Sequence, residues 1–248
     1  MFGSHSQRIY TGLALLAVVL IVGFIDSLFL MWLFFGIIYI LAFKEAMKLF
    51  GIKKDFTLYA ILLWIIAFIY PYGDDLFILA GVGYAGMVAY NKDMKWKNFL
   101  PFIYPTAGML FILSMYREYG VISLFWLLVI VALTDVGAYA VGKSIGKTKF
   151  CETSPNKTME GVVGGVAVAT IGGMFLGLNI VDILPAFIIS FAVSVASVFG
   201  DLYESKLKRE AGVKDSGDIL PGHGGVLDRI DGYLFGSIVM LVLLRGLV

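Results

Sequence analysis

Apolar runs separated by short polar breaks fall at about 9–25, 27–43, 57–71, 76–90, 98–115, 121–141, 161–178, 183–200 and 231–247. They predict an all-α fold, a polytopic integral membrane protein with about nine transmembrane or membrane-embedded helices. Several runs are shorter than the roughly 20 residues that a perpendicular crossing needs, so some of these helices stop short, tilt or lean on neighbours. The longest polar stretch is about thirty residues and lacks the apolar period of an independent core, which leaves no room for a soluble domain. The expected organisation is a single membrane-embedded domain over 1–248. Its N-terminal helices occupy 1–97, and the helices and loops over 98–248 carry the chemistry.

Composition strengthens this picture: 60% of the 248 residues are hydrophobic and 15% charged, with a mean hydropathy of +0.91. A soluble domain holds roughly 45–50% apolar residues. The net charge of +1 conceals an uneven distribution and points to no partner of its own, and no nucleic acid is expected among the partners. When alternate loops are assigned to one side, all of the 19 basic residues except Arg117 and Arg245 fall on the same face. Short cytoplasmic loops are enriched in Lys and Arg, so this face and the N-terminus are expected to be cytoplasmic. Only Arg8 precedes the first run and no small-residue cleavage pattern follows it, which reads as a retained first span. Cys151 is the single cysteine, excluding an internal disulfide and a cysteine-based zinc site.

Between the last two apolar runs lies SKLKREAGVKDSGDILPGHGGVLDRID, from Ser205 to Asp231. So many ionisable groups beside lipid are expensive, which ties them to function. Pro221-Gly222 and Gly224-Gly225 bracket His223 and predict a turn whose backbone N–H groups approach an anion closely. Lys208, Arg209 and Lys214 add positive charge, while Asp228 and Asp231 share one helical face at i and i+3. Cations and carboxylates held together in this way suit a phosphate-plus-metal site. Magnesium takes hard oxygen ligands, often one or two protein carboxylates completed by phosphate and water. Asp201, at the expected end of the 183–200 span, and Asp228 are the carboxylates for it; pairing of each with Lys206 or Arg229 is the alternative that spacing leaves open.

A second cluster runs from Thr134 to Gly165. Asp135 lies in or near the end of an apolar run, where an ionisable residue is a functional candidate by default. Ser154, Asn156, Lys157 and Thr158 then lead to Glu160 and the next helix, an N-terminal end suited to phosphate. Gly161 and Gly165, like Gly173 and Gly177, stand four apart and predict close helix packing. The basic residues Lys44–Lys54 and Lys92–Lys97 read as topology determinants and contacts for anionic lipid headgroups, with Trp96 as an interfacial anchor.

The Ser205–Asp231 segment resembles the signature of the phosphatidate cytidylyltransferases, also called CDP-diacylglycerol synthases. The likeness runs through Ser205, Lys208-Arg209, Lys214-Asp215, Pro221, His223-Gly224-Gly225, Asp228-Arg229 and Asp231, while AYAVGKSIGK and SPNKTMEGVVGG are similar to a second region of that family. The first hundred residues show no equally specific match. The resemblance implies transfer of CMP from CTP to phosphatidic acid among the membrane lipids, giving CDP-diacylglycerol and pyrophosphate at the cytoplasmic face of the cell inner membrane. It also implies a homodimer and a Mg2+ requirement, leaving room for a second metal ion, with Asp201 and Asp228 as metal ligands. Asp201, Asp228, Lys208, Arg209, Lys214 and His223 would then be the catalytic set. Asp135, Ser154, Asn156, Lys157, Thr158, Glu160, Asp215, Gly224, Gly225, Arg229 and Asp231 would meet the substrates. The rivals are another CTP-using membrane enzyme, such as a polyprenol or phytol kinase or an archaeal ether-lipid cytidylyltransferase, and a transporter using Asp135 in an ion path.

Overall fold

The computed structural model describes the backbone of residues 2–220 and 224–247, with side chains from residue 12 onward in those ranges. The helices are α1 (Phe2–Ile25), α2 (Leu28–Leu49), α3 (Thr57–Ile69), α4 (Asp75–Tyr90), α5 (Leu100–Ile103), α6 (Thr106–Ile145), α7 (Met159–Gly177), α8 (Ile183–Glu210) and α9 (Leu227–Leu247). A single 3-10 turn, Trp96–Phe99, precedes α5, and no β-strand occurs among the described residues. Five segments are long and apolar enough to cross a membrane: Leu28–Leu49, Trp96–Ile145, Met159–Gly177, Ile183–Glu210 and Leu227–Leu247. The apolar helices α3 and α4 fall short of that length.

The expected runs at 98–115 and 121–141 meet inside α6, and Gly120 separates them. Its φ of 71° and ψ of −176° interrupt the helix. Ser123 Oγ donates to the Gly120 carbonyl at 2.7 Å and to that of Met115 at 3.3 Å. Along an unbroken helix residues 115 and 123 would lie about 12 Å apart, so the chain turns sharply here. Glycine suits the site because a positive φ carries no side-chain penalty there.

The chain divides into two compact units, Met1–Ser114 with Glu210–Ile230 and Met115–Arg209 with Asp231–Val248. In the first, α2 and α3 are locked by a reciprocal pair of bonds: Trp32 Nε1 donates to the Trp64 carbonyl at 2.8 Å, and Trp64 Nε1 to the Trp32 carbonyl at 3.0 Å. Gly36 leaves the space that the Trp64 ring occupies. Tyr39, fully buried, bonds to the Thr106 hydroxyl at 2.9 Å and stacks obliquely on Trp64, joining α2 to α6.

The second unit is built around α7, where Gly161, Gly165, Ala169, Gly173 and Gly177 recur every fourth position and are all buried. The facing residues of α6 recur at the same interval. Trp126 lies over Gly177, Ile130 over Gly173, and the backbone of Thr134 and Ala138 over Gly165. The expected packing role of the paired glycines is thus realised as backbone-to-backbone approach, the arrangement small residues permit between membrane helices. Hydroxyls then bind α8 to α6: Trp126 Nε1 donates to Ser190 Oγ at 3.1 Å, and Thr134 and Ser194 share a bond of 2.7 Å. Gly200 of α8 faces the Asp231 carbonyl and Gly232 of α9, bringing those helices close together.

Candidate active site

Two groups of polar side chains emerge, one in each unit. In the second unit, the segment between α6 and α7 forms a small closed loop: Phe150 N–H donates to the Lys157 carbonyl and Met159 N–H to the Thr148 carbonyl, both at 2.9 Å. Thr158 caps α7, its hydroxyl accepting from Gly161 N–H at 3.1 Å, which satisfies one of the free amides at a helix start. The Glu160 carboxylate accepts from the amides of Lys147 and Thr148 and from the Thr148 hydroxyl, so it holds the loop from its other side. Thr158 and Glu160 therefore spend these bonds on shaping the loop. Ser154 and Asn156 lie on it, and Lys157 projects from it to form an ion pair with Asp201 of α8.

Asp201 does not end its helix as the hydropathy pattern suggests, because α8 continues to Glu210. Residues 205–210 are mostly good helix formers, and Lys208 and Arg209 in the last turn oppose the negative end of the helix dipole. Lys208 also bonds Glu204, one turn earlier and fully buried, at 2.8 Å. Close packing of α8 on α9 places Asp201 within electrostatic reach of Asp231; Asp135 of α6 and Lys208 act on the same carboxylate. Acids from three helices thus lie within electrostatic range of one another in one unit, with Lys157 paired to Asp201 and Lys208 acting on Asp231.

In the first unit, Ser216 and the residues from Gly225 to Leu227 converge on two carboxylates. Asp228 Oδ2 accepts from Ser216 N–H at 2.9 Å, Ser216 Oγ at 2.9 Å and Gly225 N–H at 2.8 Å. Glu45 of α2, only 1% exposed, accepts from Val226 N–H at 3.0 Å through Oε1, and from Leu227 N–H at 2.8 Å and Ser216 Oγ at 3.0 Å through Oε2. Gly224 has a φ of 83°, and a β-carbon there would press on Asp228; one at Gly225 would overlap Ser216 Oγ and Glu45. The amides of Gly225, Val226 and Leu227 are taken by the chain's own carboxylates, Asp228 and Glu45. Lys214, Asp215 and Arg229 stand exposed around it. His223, with Pro221 and Gly222, lies outside the described residues.

Sequence reasoning passed over Glu45, reading its neighbours Lys44 and Lys48 as topology signals. A lone acid inside an apolar helix was the signal that could have found it. As to a metal ion, no group of three or more His, Cys, Asp or Glu side chains among the described residues is arranged to hold one. The donors are nevertheless of the type magnesium prefers: carboxylate oxygens, one or two of which suffice when phosphate and water complete the shell.

A model of the cytidylyltransferase family matches residues 6–247. The phosphatidate cytidylyltransferase of Helicobacter pylori strain J99 is 44% identical over 244 residues, covering 97% of this chain and 92% of that protein. The enzyme of the same name from a second Helicobacter pylori strain, 26695, is 42% identical over the same length and shares. That of Thermotoga maritima is 35% identical over 190 residues, covering 70% of each chain.

Proposed function

We propose, from the premise that this chain belongs to the cytidylyltransferase family, that it is a membrane-embedded phosphatidate cytidylyltransferase that transfers CMP from CTP to phosphatidic acid. The observation that carries this reading is the mixed set of charges in the second unit, where Lys157 pairs with Asp201 and where Asp201, Asp135 and Lys208 lie within electrostatic range of Asp231. Lysines offset the negative charge of two phosphate-bearing substrates, and carboxylates provide for a cation between those phosphates. The curated relatives that span nearly the whole chain carry the same name.

The nucleophile is a phosphate oxygen of phosphatidic acid, already anionic near neutral pH, so the step needs no strong protein base. Attack at the α-phosphorus of CTP forms the new P–O bond as the bond to pyrophosphate breaks. The protein's part is then positioning and charge stabilisation, as in phosphoryl transfer generally. Lys157 and Lys208 neutralise phosphate charge, and Arg209 and Lys214 are further cations that the family signature assigns to catalysis. The acyl chains remain among membrane lipids.

The candidacy of Asp201, in the second unit, and of Asp228, in the first, as Mg2+ ligands rests on donor chemistry and on the family signature. When bound, the ion supplies charge neutralisation at phosphate oxygens. Placement of the site at the cytoplasmic face of the inner membrane rests on the distribution of basic residues. The homodimer rests on family resemblance.

Incubation of the purified protein in detergent with phosphatidic acid, labelled CTP and magnesium, with and without EDTA, tests the proposal. Metal-dependent CDP-diacylglycerol with an equal amount of pyrophosphate is the expected result. Release of CDP with a phosphorylated lipid would identify a kinase instead, and substrate flux in liposomes without CTP consumption a transporter.

A further inference from the structure

We propose that Glu45 is a positioning residue for nucleotide binding, which ties Ser216 to the residues at the start of α9; this deepens the reading above and rests on it. Burying a carboxylate costs several kcal/mol unless hydrogen bonds and local positive potential compensate. Glu45 receives both. Its oxygens take the hydroxyl of Ser216 and two consecutive amides at the start of α9, where the helix dipole favours negative charge. Two of these donors are backbone amides, so the carboxylate holds the chain itself and not merely another side chain.

Its partners show what it controls. Ser216 Oγ lies 3.0 Å from Glu45 and 2.9 Å from Asp228, and its single proton serves one carboxylate at a time. The same hydroxyl accepts from Asp228 N–H at 3.3 Å. Glu45, Ser216 and Asp228 therefore form one connected set, and the position of Asp228 depends on an acid carried by α2. Gly217 and Gly225 complete the fit: a β-carbon at either would collide with the Glu45 carboxylate, so the turn closes around this side chain. Lys214, Asp215 and Gly224, next to these residues in the chain, belong to the set that the family resemblance assigns to catalysis and to the substrates.

Glu45→Gln preserves size but replaces one acceptor oxygen by a donor facing an N–H group, and Glu45→Asp withdraws the carboxylate by about one C–C bond. Ser216→Ala removes the shared hydroxyl. Hydrogen exchange on the full-length protein in detergent, together with steady-state kinetics, tests the assignment. Glu45→Gln is expected to speed exchange at residues 225–227 at least tenfold and to raise KM for CTP at least tenfold. KM for phosphatidic acid should stay within twofold, a split that general destabilisation would not produce. Ser216→Ala should raise the same KM, with a less than additive effect in the double variant.

A folded Glu45→Gln protein with unchanged exchange, or with faster exchange and unchanged CTP kinetics, would overturn the proposal. Should Glu45→Gln not fold, Glu45→Asp and Ser216→Ala decide it by the same two readouts. Wild-type protein that forms no lipid nucleotide would defeat the functional reading, and exchange at residues 225–227 alone would then judge whether Glu45 holds the turn.

Discussion

Lys157 and Asp201 form an ion pair that joins the loop preceding α7 to the interior of α8. Both side chains are partly exposed, 25% and 30%, so the pair contributes little to folding in its own right. Its importance lies in where it puts an ammonium group. Lys157→Ala is expected to lower kcat/KM for CTP by roughly tenfold to a hundredfold, about 1.4–2.7 kcal/mol, with little change in thermal unfolding. Lys157→Arg should recover part of the loss. Rates of CDP-diacylglycerol formation check both.

Removal of divalent cations should abolish turnover, and added magnesium should restore it. Asp201→Asn keeps the size of the side chain and removes its charge, so the variant is expected to fold while losing at least a hundredfold in rate, about 2.7 kcal/mol. Magnesium titration of the residual activity is the measurement. An unchanged rate at saturating metal would remove Asp201 from the essential set.

The Glu204–Lys208 pair is more deeply buried, with side-chain exposures of 0% and 13%. Loss of one member of such a pair costs about 3–5 kcal/mol, because the other charge is left without compensation. Glu204→Ala should therefore destabilise strongly, and Glu204→Ala combined with Lys208→Ala should regain much of the stability. Activity is not expected to return in the double variant, since Lys208 acts electrostatically on Asp231. Unfolding in detergent and turnover, measured side by side, separate the two effects.

Not every helical glycine has the same consequence. A β-carbon at Gly165 meets backbone atoms of Thr134 and Ala138, which cannot rotate aside, whereas one at Gly86 of α4 meets nothing within 4 Å. Gly165→Ala should destabilise by about 1–3 kcal/mol through overpacking. Gly86→Ala should be neutral or stabilise by up to about 1 kcal/mol through helix propensity. Thermal unfolding of the two variants provides the comparison.

The spans and the glycine repeat were readable because both are local periodicities, and α7 begins and ends within two residues of its expected limits. The end of α8 was misplaced because hydropathy registers where apolar residues stop, whereas helix formation continues through Ser205–Glu210 on propensity and charge. Within the site, Asp135, Asp201 and Asp231 could be nominated singly by their chemistry. Their convergence depends on how closely Gly200 and Gly232 let α8 and α9 approach, which sequence spacing does not encode. Glu45 lies 171 and 182 residues from Ser216 and Leu227. Nothing local to α2 announces that distant turn.

The break at Gly120 matters for how α6 fits a bilayer. Continued as one helix, the 40 residues of α6 would form a rod about 60 Å long, twice the hydrocarbon thickness of roughly 30 Å. Gly120 interrupts that rod and leaves residues 121–145 as a helix of roughly 38 Å, a length that suits one tilted crossing. A substitution that let the helix run on through position 120 would present the bilayer with a rod longer than it can house upright.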